Sequence, residues 1–167
     1  ETSDEDWNTV IAVGLTGAFF ALRAAARAMA AGDGGTIVNV TSTFAHVGSP
    51  GYAAYHAAKG GLSSLTRAAA IGLKDKNIRV NAVAPGTTDT PGLRRGVAAT
   101  HSDPDAAMAA YLALQPAGRF GSAEEIASGI LILASDQARI VNGAEQVIDG
   151  GYIAVRAQNT SVRRSTP

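Results

Sequence analysis

The 167-residue chain contains no cysteine. That removes disulfides, thiolate nucleophiles and cysteine-ligated metal sites together, and no metal centre is expected. A disulfide-free chain fits a cytoplasmic protein. Charge is sparse and balanced, with 14 Lys and Arg against 14 Asp and Glu. A neutral chain lacks the electrostatic footprint that nucleic acid or an anionic membrane requires, so neither is expected as a partner. Long hydrophobic runs are missing as well. Gly, Arg, Asp or Thr interrupts each one before it approaches the length of a membrane span. The acidic start Glu1-Thr2-Ser3-Asp4 has no secretory pattern and no initiator methionine. The expectation is a piece of a longer protein.

What is present is a hydrophobic share of 46%, enough for one domain with a buried core. Ser3 and Asp6 have capping-box spacing, and apolar residues then recur from Trp7 through Val10, Ile11, Leu15, Phe19 and Leu22 to Met29. One long helix is predicted, stopped at Gly32-Asp33-Gly34-Gly35. The β-branched run Thr36–Thr41 reads as a buried strand. A loop through Gly48-Ser49-Pro50-Gly51 leads to a second long helix, Tyr52 to Asp75, whose closing lysines suit its negative end. Ile78–Ala84 reads as the next strand, ended by Pro85-Gly86. The segment Thr87–Thr100 has no period. Ser102-Asp103-Pro104 opens a helix, Ser122 and Glu125 open another, and Gly143–Ile148 is a last strand. The polar segment 156–167 is expected to be a flexible tail.

Strands alternating with helices imply a parallel sheet with right-handed crossovers. Function in such sheets collects beyond the C-terminal strand ends, here after Thr41, Ala84 and Ile148. Ser42 stands at the first of these. On the following helix Tyr55 and Lys59 are spaced i and i+4, so they share a face. A free phenol has a pKa of ~10 and is a poor base at neutral pH, whereas a nearby ammonium favours the phenolate. Ser42 could hold a substrate oxygen while Tyr55 moves its proton. Taken alone, Tyr-x-x-x-Lys occurs by chance in many helices. Tyr52 competes for the role, but its i+4 partner is His56, which supplies no permanent charge.

The surrounding sequence narrows the choice. Gly34-Gly35-Thr36-Ile37-Val38-Asn39-Val40-Thr41-Ser42 resembles the serine-bearing strand of short-chain dehydrogenases/reductases, and Ala54-Tyr55-His56-Ala57-Ala58-Lys59-Gly60-Gly61 is similar to their Tyr-x-x-x-Lys helix. Arg79–Gly86, Gly118-Arg119-Phe120-Gly121, Asn142-Gly143 and Asp149-Gly150-Gly151-Tyr152 resemble their later motifs, in the family's order, so the likeness runs from about Glu5 to Tyr152. The resemblance implies an α/β fold, a doubly wound, Rossmann-like parallel sheet of which residues 1–155 are the C-terminal part. It implies hydride exchange between NAD or NADP and a secondary alcohol or ketone, with Tyr55 as acid/base and Ser42 orienting the carbonyl. Lys59 would hold the nicotinamide ribose. In the turn from Pro85 and Gly86, the backbone of Thr88 and the hydroxyl of Thr90 would meet the carboxamide. Residues 90–114 correspond to a mobile substrate lid. Met108 and Tyr111 could line a pocket there, although ordinary packing is the simpler expectation for both. A homodimer or homotetramer is implied too.

Two departures follow. The family's Asn-x-x-Gly pattern in the first long helix is replaced by Gly14-Leu15-Thr16-Gly17; Gly14 keeps the backbone carbonyl and can kink a helix, but loses the side chain. The glycine-rich nucleotide-binding turn is also absent, since Gly32–Gly35 precedes a strand instead of following one. A noncatalytic oligomerisation or regulatory subunit, and half of a split enzyme, therefore stand as alternatives.

Overall fold

A computed structural model describes residues 2–154; the segment read as a flexible tail, 156–167, lies outside the described residues. The chain opens with α1 (Asp4–Ile11), which runs through a π-helical turn (Ala12–Gly17) into α2 (Ala18–Ala30). Ser3 caps it, its hydroxyl oxygen accepting from the Asp6 N–H at 3.1 Å, and three acidic residues in the first turn oppose the positive helix end. The predicted single helix therefore exists, with a wide turn at Gly14 that apolar spacing alone did not disclose.

Membrane-span length requires a correction. The combined 27-residue helix Asp4–Ala30 is long and apolar enough, by length and composition, to cross a membrane. The interrupting Gly, Thr and Arg break the run but scarcely lower its mean, because alanines and aromatics surround them. Length and composition say nothing about what the helix faces.

Three strands follow, β1 (Gly35–Val40), β2 (Ile78–Pro85) and β3 (Glu145–Ile148), all parallel, in the order β1-β2-β3. Gly35 pairs with Ile78 and Ala82 with Glu145. A shared turn fixes the entry to β1 and β2. Gly34 has φ +94°, and a Cβ there would fall 2.1 Å from the Asn77 carbonyl oxygen, so only glycine fits. Asn77, itself left-handed at φ 55°, returns a hydrogen bond from its side-chain amide to the Asp33 carbonyl at 2.8 Å.

Side chains alternate across the sheet and build two apolar layers. Ile37, Ile78 and Val80 pack with Leu22 and Met29 of α2 and with Leu65, Ala69 and Ala70 of α3 (Ala53–Gly72). Val38, Val83 and Ile148 face the other way, onto Ile126, Ile130 and Leu133 of α6 (Ala123–Ala134). Ser122 and Glu125 close a full capping box at the start of α6. Arg79 caps its other end, donating to the carbonyls of Leu133 at 3.0 Å and Ser135 at 3.1 Å. Asn81 and Asn142 brace β2 against the approach to β3: the Asn81 side chain accepts from the Ala144 N–H at 3.0 Å, and that of Asn142 from the Val80 N–H at 2.9 Å.

Two further readings are revised. The second long helix ends at Gly72, short of Asp75, and Lys74 and Lys76 lie on a separate 3-10 turn where Lys74 pairs with Asp75 at 3.0 Å. The segment without a period contains α4 (Pro91–Thr100), started by Thr90, whose hydroxyl oxygen accepts from the Leu93 N–H at 3.1 Å. α5 (Pro104–Ala113) follows, capped by Asp103 with Pro104 in its first turn.

Candidate active site

β1 ends at Val40, and Ser42 follows in extended backbone at the start of a 3-10 turn, Thr43–Ala45. Its side chain is buried, and its hydroxyl oxygen accepts from the Phe44 N–H at 3.2 Å. α3 packs on this turn and brings Tyr55 edge-on to Phe44, ring centroids 6.0 Å apart. Tyr55 is 38% exposed, so its ring is accessible to a small molecule. Lys59 lies one turn further, its ammonium 5.6 Å from the Tyr55 ring centroid and donating to the Val40 carbonyl at 2.8 Å. Burial pushes the Lys59 pKa below the ordinary lysine value. The three residues singled out in the sequence thus gather at the C-terminal end of β1.

His56, the i+4 neighbour of Tyr52, has a different task. Its Nδ1 lies 2.7 Å from the Phe44 carbonyl, its Nε2 accepts from the Ser49 N–H at 3.0 Å, and its ring stacks on Phe44. Nε2 also lies 3.1 Å from the Ser49 carbonyl. His56 therefore ties the loop after Ser42 to α3.

The other strand end builds the turn assigned to the nicotinamide. Pro85 pairs with Ile148, and the Gly86 N–H donates to the Ile148 carbonyl at 2.9 Å. A Cβ at Gly86 would lie 2.7 Å from the Asp149 Cα, so the two strand ends meet this closely only with glycine. Thr88 bridges to Gly121 through its neighbours: Gly121 donates to the Thr87 carbonyl at 3.0 Å and accepts from the Asp89 N–H at 2.8 Å. In such a bridge the N–H and C=O of Thr88 itself point away from Gly121. One donor and one acceptor side by side fit a carboxamide. The Thr90 oxygen is engaged in capping α4, but its O–H proton is left to donate.

A cleft of about 1050 Å³ opens beside Tyr55, walled by Phe44 and the loop at Ser49–Gly51, by α4 and by α5. Its lining includes Tyr55 and Thr87 but not Ser42, Lys59, Thr88 or Thr90. All four tyrosines reach it: Tyr52, Tyr55, Tyr111 and Tyr152. Tyr111 lines the cleft; Met108 is not in the lining. A hydrogen bond with Tyr52, reinforced by burial, raises the Tyr111 pKa, and its hydroxyl stands 3.5 Å from His101 Nε2. Sequence reasoning missed His101 and Gln115, which join this wall by tertiary placement and carry no local signal.

Gly14 sits in the π turn against α3, where a Cβ would lie 3.1 Å from that of Ala58, between Tyr55 and Lys59 in sequence. The break in the helix is thus kept without an asparagine.

A parallel α/β sheet with a serine beyond one strand and a Tyr-x-x-x-Lys pair on the next helix defines a class of nicotinamide-dependent oxidoreductases. A family model described as enoyl-(acyl carrier protein) reductase matches residues 1–153, and the chain belongs to the short-chain dehydrogenase/reductase family. It is 46% identical over 149 residues to cis-4-hydroxycyclohexanecarboxylate dehydrogenase of Sinomonas cyclohexanicum, covering 89% of this chain and 57% of that protein. It is 41% identical over 154 residues to inactive 2-(S)-hydroxypropyl-CoM dehydrogenase 2 of Xanthobacter autotrophicus, covering 92% and 66%. A structure from Agrobacterium tumefaciens, described as a 2-deoxy-d-gluconate 3-dehydrogenase with bound NADP, superposes with a TM-score of 0.81 at 36% identity, over 93% of this chain and 61% of that one. The chain spans less than two thirds of the length of the first curated relatives it matches.

Proposed function

We propose that the protein containing this chain is an NAD(P)-dependent oxidoreductase that interconverts a secondary alcohol and a ketone through Ser42, Tyr55 and Lys59. The observation that carries this reading is the placement of Tyr55: one face meets the Lys59 ammonium, and the ring forms a wall of the cleft. The cofactor, when bound, supplies the hydride chemistry. Ser42 donates a hydrogen bond to the substrate oxygen and fixes it against Tyr55. In oxidation the Tyr55 oxygen takes the hydroxyl proton of the alcohol; in reduction it returns that proton to the nascent alkoxide. The Lys59 ammonium stabilises the tyrosine oxygen while it carries negative charge. The backbone N–H and C=O of Thr88 and the hydroxyl of Thr90 would hold the carboxamide, and Pro85 and Gly86 shape the turn that presents them. Lys59, whose resting contact is the Val40 carbonyl, would exchange it for ribose hydroxyls. A cytoplasmic homo-oligomer suits this reading.

The test uses the full-length protein assayed with NAD(P) and secondary alcohols. Tyr55→Phe lowers kcat by about a hundredfold or more, the usual contribution of a positioned acid/base. Tyr52→Phe has a mild effect, since the residue one turn after Tyr52 is His56, which is engaged with Phe44 and Ser49, and not a lysine. Equal losses in the two variants would refute the assignment.

The noncatalytic alternative has one observation behind it, the relative named inactive despite 41% identity. Retention of Ser42, Tyr55 and Lys59 in one site argues the other way.

A further inference from the structure

We infer that Gly92 and Gly96 shape the substrate end of the cleft, and that the substrate is a secondary alcohol or ketone with a bulky, uncharged, apolar body. This rests on the dehydrogenase reading above. α4 turns both glycines, with Leu93 and Val97, toward the cleft. Glycine inside a helix lowers its stability relative to alanine, so each position needs a reason. Backbone geometry provides none, because neither has a positive φ. Packing provides none either. A Cβ at Gly96 would meet nothing within 4 Å, and one at Gly92 only the Thr90 hydroxyl oxygen, at an ordinary 3.7 Å. What the missing side chains leave is room in the cleft.

The size and chemistry of that room point to the ligand. At about 1050 Å³ the cleft is at the upper end of small-molecule sites and far exceeds what a four-carbon alcohol fills. Leu93 and Val97 offer apolar surface, and Tyr52 and Tyr111 offer hydroxyls at the far wall. Among the described residues no Asp, Glu, Lys or Arg lines it, so a charged group placed there would give up water for hydroxyls, the Gln115 amide and the His101 ring, with no permanently charged partner.

The experiment compares 2-butanol, 4-tert-butylcyclohexanol and 4-hydroxycyclohexanecarboxylate as substrates of the full-length protein with NAD or NADP. The parent should prefer the bulky neutral alcohol. Gly96→Val and Gly92→Val should each lower kcat/KM for it about tenfold or more, while 2-butanol changes by about threefold or less. Gly96→Ala should show a smaller selective loss and a raised melting temperature, which a glycine kept for folding would not show. Gly72→Ala, at an open position on α3 away from the cleft, should leave the ratio unchanged. Equal losses on both alcohols, no loss in a folded variant, or a parent preference for the carboxylate or for 2-butanol would overturn the inference alone. A parent inactive on every alcohol and on the matching ketones would overturn the dehydrogenase reading and the inference with it.

Discussion

Glu145 is a carboxylate held largely out of solvent. It stands on β3 with a side chain only 9% exposed, accepts from the hydroxyls of Thr41 and Ser63, and has His46 Nε2 3.3 Å away. Arg67 donates to the same Ser63 oxygen at 2.9 Å. Through these contacts it joins the residue before Ser42 to the helix that carries Tyr55 and Lys59. Glu145→Ala would leave the Ser63 hydroxyl without its acceptor, at about 1–3 kcal/mol for the group stranded, while Thr41 keeps the Val83 carbonyl at 2.9 Å. Urea melts should show that loss, and Glu145→Gln, which can still accept once, a smaller one. An exposed carboxylate makes a contrasting case. The Arg119 guanidinium and the backbone N–H of Ser122 hold the Glu125 carboxyl down to about 2, from 4.5. A depressed folded-state pKa contributes stability that is present above about 4.5 and lost as pH falls through about 2. NMR titration of Glu125 should therefore show a midpoint near 2. In Arg119→Ala that midpoint should move upward, and α6 should fray at a higher pH than in the parent.

At the scale of elements, the helix pair around the site depends on small residues. A Cβ at Gly14 would crowd Ala58, and one at Gly61 would lie 2.8 Å from a Leu15 methyl, so the π turn and α3 approach at glycine distance. The asparagine of the family pattern would not drop in freely at position 14. Gly14→Asn should cost stability of about 1–3 kcal/mol through overpacking, read in urea melts. A gain in stability would show instead that helix propensity outweighs the contact there. The same elements show why local pattern was informative in one place and silent in another. α2, α3 and α6 each press a face on the sheet and α1 lies on α3, and their apolar spacing displayed it. α4 turns its face to an open cleft and buries only Val97 fully, so no apolar period was required of it. Its one local signal was Thr90-Pro91, a cap followed by proline, as in α5. The lysines after α3 misled for a related reason: they resembled a helix end, while the backbone had already left the helix at Gly72.

At the scale of the whole molecule, the sheet and the Ser42–Tyr55–Lys59 group were legible because each rests on short, ordered motifs along the chain. The cleft was not, because it joins the loop at Ser49 to residues more than forty positions later. The arrangement also governs how this chain behaves by itself. Among the described residues β1 pairs only with β2, leaving its outer edge with free hydrogen-bonding groups and Val40 43% exposed. Val13, Phe20 and Leu131 are 76%, 51% and 67% exposed, on the first helix and on α6. An unpaired apolar strand edge templates association with other chains, and exposed apolar helix faces add to it. The proposed cofactor contacts, meanwhile, are those at Lys59 and in the turn from Pro85 to Thr90, and among the described residues no glycine-rich turn leads from a strand into a helix to take a pyrophosphate. Expressed as these 167 residues, the chain should elute from size-exclusion columns above its monomer mass of 16.9 kDa. It should unfold in urea with a shallow transition and give no saturable NAD(P)H fluorescence response. A monomer with a sharp two-state melt and micromolar NAD(P)H binding would show that the exposed edge and helix faces are tolerated, and that the nicotinamide contacts alone suffice to hold the dinucleotide.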